Sequence, residues 1–171
     1  MKIAGKFEKV SFEQFEKDWM DTGLGYDNIK EIYDSIKLPK RATKGSAGYD
    51  FFMPIDYNFG TQRAVKIPTG IRAIMNDGWV LKLYPRSGLG FKYAIKEANT
   101  VGIIDQDYYY SDNEGHIFVK LVNNDPTLGN IVHFKQGDGF CQGIFLEYGI
   151  TEDDVATGKR NGGFGSTDNS K

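Results

Sequence analysis

The chain has 171 residues, with 21 Lys+Arg set against 23 Asp+Glu and a formal net charge of −2. That length holds one domain with a sizeable core, and 40% hydrophobic with 26% charged residues excludes wholesale disorder. The near-neutral balance argues against a nucleic-acid coat. The single cysteine, Cys141, excludes an internal disulfide and, with only His116 and His133 far apart, argues against a structural zinc site.

Residues 2–7 (KIAGKF) are expected to form a strand. Ser11 followed by Gln14 has the form of a capping box and opens a short helix with Phe12, Phe15 and Trp19 as its apolar stripe. Asp27 is placed to cap a second helix with the stripe Ile29, Ile32, Tyr33 and Ile36. Gly23 and Gly25 separate the two, and Pro39 ends the second, so residues 8–38 form a helical excursion. Helices of this kind usually pack on their own subunit, and contact with a partner is the alternative. The run Lys37, Lys40, Arg41 and Lys44 reads mainly as a solvated face. The N-terminus is charged throughout and no apolar stretch approaches a membrane span, so a cytoplasmic location and no stable nucleic-acid or membrane partner are expected.

From about residue 45 the chain turns to short β runs punctuated by glycine, which makes up about 12% of it against a usual ~7%. Ile71–Met75 and Trp79–Tyr84 flank Asn76-Asp77-Gly78, the pattern of a β-hairpin. Ile117–Val122, Ile131–Phe134 and Phe140–Tyr148 read as further strands, and Thr151–Asp154 as one helical turn. The fold expected is mainly β, a jelly-roll-like β-sandwich with a short helical N-terminal segment. Residues 159–171 read as a glycine-rich C-terminal arm, all in one domain over 1–171.

Five glycine-containing segments carry the candidate chemistry. They are Ser46-Ala-Gly-Tyr-Asp50, Pro85-Arg-Ser-Gly-Leu-Gly90, Asn99-Thr-Val-Gly-Ile-Ile-Asp105 continuing to Tyr108, Gly137-Asp-Gly-Phe-Cys-Gln142, and Arg160-Asn-Gly-Gly-Phe-Gly-Ser-Thr167. Taken singly, each also reads as a turn. Arg86, Ser87 and Gly88 have the parts of an anion cradle: a forked cation, a hydroxyl donor and accessible backbone N–H groups. A turn with an exposed arginine has the same parts. Arg160, Ser166 and Thr167 repeat that chemistry around the ring of Phe164, either as an arm closing over a nucleotide or as a plain disordered tail. Asp50 and Asp105 end apolar runs, where a carboxylate can take a proton or hold a metal-bound water. Neither a Walker A loop nor a strand-linked dinucleotide fingerprint is present.

In order and spacing the five segments resemble the motifs of the all-β, homotrimeric dUTPases over roughly residues 37–168, with Asn99, Gly102, Asp105 and Tyr108 at the family's N-x-x-G-x-I-D-x-x-Y spacing. The resemblance implies hydrolysis of dUTP to dUMP and pyrophosphate, limiting uracil incorporation into DNA and supplying dUMP for thymidylate synthesis. Asp105 would be the general base for water attacking the α-phosphorus. Tyr108 would pack beneath the deoxyribose and refuse a 2′-hydroxyl, and Asn99, with Gly102 and Ile104 in the same segment, would meet the base. Asp50 and Gln142 would hold Mg²⁺ through water, while Arg86, Ser87 and Gly88 cradle the phosphates. Phe164 would stack on uracil, with Arg160, Gly165, Ser166 and Thr167 closing over the γ-phosphate. Each site would draw on three subunits of a homotrimer: motifs one, two and four from one chain, the third from a neighbour and the arm from the last.

Three features depart from the family pattern. A longer polar loop, Tyr109 to Gly115, follows Tyr108; Gly139 stands where a basic residue is usual; and Asp168 replaces a terminal glycine, its charge expected to point outward. A dCTP deaminase of the same fold, or a bifunctional deaminase/dUTPase, is one alternative, but the deaminase family uses a glutamate where Ile117–Val122 offers Lys120. A nucleotide-responsive regulatory binding protein is the other.

Overall fold

The computed structural model describes residues 2–25, 27–126, 130–158 and 160. In chain order it contains β1 (Gly5–Lys9), α1 (Phe12–Met20), α2 (Ile29–Ser35), β2 (Tyr49–Phe52), β3 (Tyr57–Gly60), β4 (Arg63–Pro68), β5 (Ile71–Met75) and β6 (Trp79–Pro85). There follow α3 (Ser87–Tyr93), β7 (Ile95–Glu97), β8 (Gly102–Ile104), a 3₁₀ turn (Gln106–Tyr110), β9 (Phe118–Asn123), β10 (Ile131–Phe134) and β11 (Gly139–Glu147).

The strands form antiparallel groups ordered β2-β11-β6-β8, β4-β9-β7, β1-β5 and β10-β3. Alternation supplies the sandwich core: along β5, Ile71, Ala73 and Met75 are buried while Arg72 and Ile74 face away. Phe51, Phe59, Leu81, Leu83, Ile117, Leu121 and Phe140 complete its centre.

The Asn76-Asp77-Gly78 turn forms, with Gly78 at φ +79°, but it does not close a hairpin. β5 pairs with β1 and β6 with β11 and β8, so the turn carries the chain from one sheet to another. The N-terminal strand captures β5 instead, and Asn76 is tied to it by its N–H to Ala4 O and its side chain to Ile3 O. An Asp-Gly pair dictates a local reversal; which strands then pair depends on what else competes for the edge.

α1 begins as its cap predicts, with Ser11 Oγ accepting from Gln14 N–H at 3.1 Å. α2 starts one residue later than expected. Asn28, not Asp27, is its cap, in the left-handed region at φ 59° and without a side-chain bond. Phe15 and Trp19 are fully buried in a second small core with Val10 and Ile29. This layer lies on the β4–β5 turn at Gly70, where a Cβ would stand 2.3 Å from Ile36 Cδ1 and φ is +71°, so only glycine admits the helices so close.

Candidate functional site

One cluster of the expected residues is built by strand register. Gln142 on β11 pairs directly with Asp50 on β2, and Tyr84 flanks Gln142 on its other side. A Cβ on Gly48 would stand 2.5 Å from Gln142 Oε1, so this glycine makes room for the amide oxygen beside Asp50. Arg86 follows β6 and its guanidinium lies 3.6 Å from Asp50 Oδ1. A Cβ on Gly139 would meet Arg86 Nη1 at 2.8 Å, so the missing basic residue leaves the space that Arg86 fills. The segment after Pro85 is a helix rather than a turn: Arg86 occupies the N-cap of α3, with Ser87 and Gly88 in its exposed first turn. Asp50 and Gln142 thus offer adjacent hard oxygen donors, a set that fits Mg²⁺ held through water. Among the described residues no three His, Cys, Asp or Glu side chains stand together as a direct metal cage.

The second cluster is the β7–β8 turn and the 3₁₀ turn after it. Asn99, Gly102, Ile104, Asp105, Tyr108, Phe118 and Arg160 line one cavity of about 280 Å³. Asn99 is exposed on the turn, Gly102 and Ile104 are buried beneath it, and Asp105 ends β8 as the N-cap of the 3₁₀ turn with its side chain about half exposed. Tyr108 is buried, which raises its phenol pKa above the ordinary value, and its hydroxyl donates to His116 O at 2.8 Å.

Glu97 escaped the sequence reading. It is 2% exposed beneath the Asn99 turn, where Oε2 accepts from Gly102 N–H at 2.7 Å and Oε1 lies 3.5 Å from Cys141 Sγ. Burial outweighs both bonds and pushes its carboxyl up to about 7. The signal available was alternation: Ile95 faces inward, Lys96 outward, and Glu97 shares the inward face.

The loop from Tyr109 to Gly115 is firmly tied. Tyr109 Oη donates to Glu8 at 2.8 Å, and the Arg72 guanidinium sits 4.6 Å from the Tyr109 ring centre. Ser11 N–H and Oγ both bond the Glu114 carboxylate, at 2.8 and 2.6 Å. Arg160, expected to close over the γ-phosphate of a site in another subunit, here lies against its own chain. Its guanidinium pairs with Asp105 and, at 2.9 Å, with Asp107 of its own chain. Phe164, Gly165, Ser166, Thr167 and Asp168 lie outside the described residues.

The two clusters stand at opposite ends of β6. Ile104 pairs with Leu81, so Asp105 lies level with Val80, six residues and about 20 Å along the strand from Arg86.

Residues 34–168 match the dUTPase family model. The deoxyuridine 5′-triphosphate nucleotidohydrolase of Lactococcus lactis is 39% identical over 135 residues, covering 77% of this chain and 88% of that protein. That of fowlpox virus is 33% identical over 147 residues, covering 81% and 94%. A dUTPase crystal structure from Streptococcus mutans superposes with a TM-score of 0.63 at 30% identity, covering 86% of this chain and 98% of that one. A dUTPase of Staphylococcus aureus phage phi11, described with a structural Mg(II) ion, shares the fold at 20% identity and a TM-score of 0.56, covering 73% and 92%.

Proposed function

The chain belongs to the dUTPase family and hydrolyses dUTP to dUMP and pyrophosphate, and we propose that it does so in sites shared among three copies of itself. The observation that carries the sharing is the separation along β6. A base acting at the α-phosphorus must stand within hydrogen-bond reach of the attacking water, while the phosphate cradle must touch the same triphosphate. Residues some 20 Å apart in one chain cannot do both. A symmetric assembly brings the Asp105 end of one subunit to the Arg86 end of the next.

In this reading Asn99 bonds the uracil edge from the β7–β8 turn, and the buried Tyr108 ring floors the sugar. Asp105, partly exposed at the cavity, takes the proton of water, a role for which a placed carboxylate typically contributes about 10²–10⁴-fold. Arg86 binds the phosphates with its fork, with Ser87 and Gly88 offering the exposed first turn of α3. Asp50 and Gln142 would hold Mg²⁺ through water. When bound, the ion supplies positive charge to the triphosphate. When the substrate arrives, Arg160 exchanges the carboxylates of Asp105 and Asp107 for phosphate, which frees the base. β9 sets Lys120 opposite Lys66, two cations where a deaminase would need a carboxylate.

Subunit mixing tests the sharing. Asp105→Asn and Arg86→Ala proteins, each nearly inactive, are unfolded together and refolded. Random trimers with shared sites regain about a quarter of wild-type pyrophosphate release, because each mixed trimer has one intact site of three. A mixture as inactive as its parents would place the whole site within one chain.

A further inference from the structure

The tyrosine that floors the sugar pocket is held from behind by the N-terminal helix. Tyr108 Oη donates to the His116 carbonyl at 2.8 Å and accepts from Asn113 Nδ2 at 2.8 Å. The His116 ring is fully buried, with Nε2 accepting from Gly70 N–H at 2.8 Å. The proton of the neutral ring therefore sits on Nδ1, which donates to Asp18 Oδ2 on α1 at 2.6 Å. Gln14, one turn earlier on α1, donates to the same carboxylate at 2.8 Å. The His116 ring also packs on Phe118, whose side chain borders the cavity, at 4.6 Å between ring centres. From the start of α1, Ser11 grips Glu114 in the same loop.

We propose that α1 is a buttress of the sugar pocket: Asp18, acting through His116, is a positioning residue that fixes Tyr108 and so sets how strongly a 2′-hydroxyl is refused. α1 lies wholly before the region that matches the family model, yet it supplies the polar anchor behind a pocket residue within that region. Refusal of one hydroxyl depends on a ring that cannot retreat by a fraction of an ångström. Backbone turns alone leave the 111–116 segment free to breathe; a buried imidazole bonded at both nitrogens fixes its end to two other elements.

The inference rests on the reading of Tyr108 as the sugar floor, and the experiment separates the two. kcat and KM are measured with dUTP and UTP for the wild type and for Asp18→Ala, Asp18→Asn and Tyr108→Ala, with thermal unfolding followed in parallel. Asp18→Ala is expected to lower the dUTP-to-UTP ratio of kcat/KM by about tenfold, mostly through better use of UTP. Asp18→Asn, which keeps an acceptor for Nδ1–H, should restore the ratio. A stability effect alone would scale both substrates equally and leave the ratio unmoved. Should Asp18→Ala fail to fold, Ser11→Ala, which removes the hydroxyl bond to Glu114 and the cap of α1 but keeps the Ser11 N–H bond, carries the test with a smaller fall in the same direction. An unchanged ratio in the folded helix variant, while Tyr108→Ala loses discrimination, would overturn the buttress. An unchanged ratio in Tyr108→Ala would overturn the sugar reading and the buttress with it.

Discussion

The two ends of β6 carry clusters of candidate site residues that are built in different ways. At the Arg86 end, main-chain pairing does the positioning: Asp50 faces Gln142 because β2 and β11 pair there, and two glycines clear space for the side chains. At the Asp105 end, side chains do it. The turn bearing Asn99 stands on the Glu97 carboxylate, and the segment after Tyr108 is held by Glu8, Ser11, Asp18 and Arg72. Sheet register is a collective property that one substitution seldom moves, whereas a side-chain brace fails when a single group is lost. The first end should tolerate change at a distance, and the second should not.

The largest effect expected at the side-chain-built end is on the base itself. Asp105→Asn should lower kcat by about 10³-fold while dUTP binding, measured calorimetrically, is largely kept. Retained turnover would remove Asp105 as the base. The brace beneath it should show as pH-dependent stability. Glu97 titrates at about 7 when folded against an ordinary 4.5, so between those values the folded chain holds a proton that the unfolded chain has lost. Stability should therefore be greatest below pH 4.5 as far as this group is concerned, and fall by about 3 kcal/mol as pH rises through 7. Denaturant titrations from pH 5 to 8.5 should show the decline, and Glu97→Gln should flatten it; an unaltered slope would sink the assignment.

At the register-built end a smaller loss is expected. Arg86→Lys keeps the charge but loses the fork, and should cost about tenfold in kcat/KM with little change in melting temperature. The smallest effect concerns His116. Burial lowers its pKa despite the pull of Asp18, so the unfolded chain takes up a proton at mildly acid pH before the folded one does. This group's own contribution should fall as pH drops below about 6.5, the ordinary value, opposing that of Glu97, and His116→Gln made in the Glu97→Gln background should blunt it.

What the sequence disclosed follows the same division. The Ser11 cap, the alternating strands and the spacing from Asn99 to Tyr108 are local patterns, and local geometry enforces them. The Asn76-Asp77-Gly78 turn was legible as a turn but not in its partners, because β1 competes for β5. His116 stood out only as one of two histidines. Its contact with Asp18 spans 98 residues, and no periodicity marks such a pair. Gly139 replaces a usual basic residue, and the Arg86 side chain occupies the space above it, a compensation that no local pattern marks.

The buried pair of Glu97 and Cys141 gives the molecule its own gauge of opening. Cys141 has no exposed surface, and burial, reinforced by the neighbouring carboxylate, drives its thiol well above its ordinary pKa. As the only sulfhydryl in the chain, it is shielded from alkylating reagents and holds almost no thiolate while β11 stays packed. Labelling with a thiol reagent at increasing concentration therefore counts excursions of the sheet beneath the β7–β8 turn. Comparing that count with and without nucleotide would show how far substrate clamps the strand at the position of Cys141.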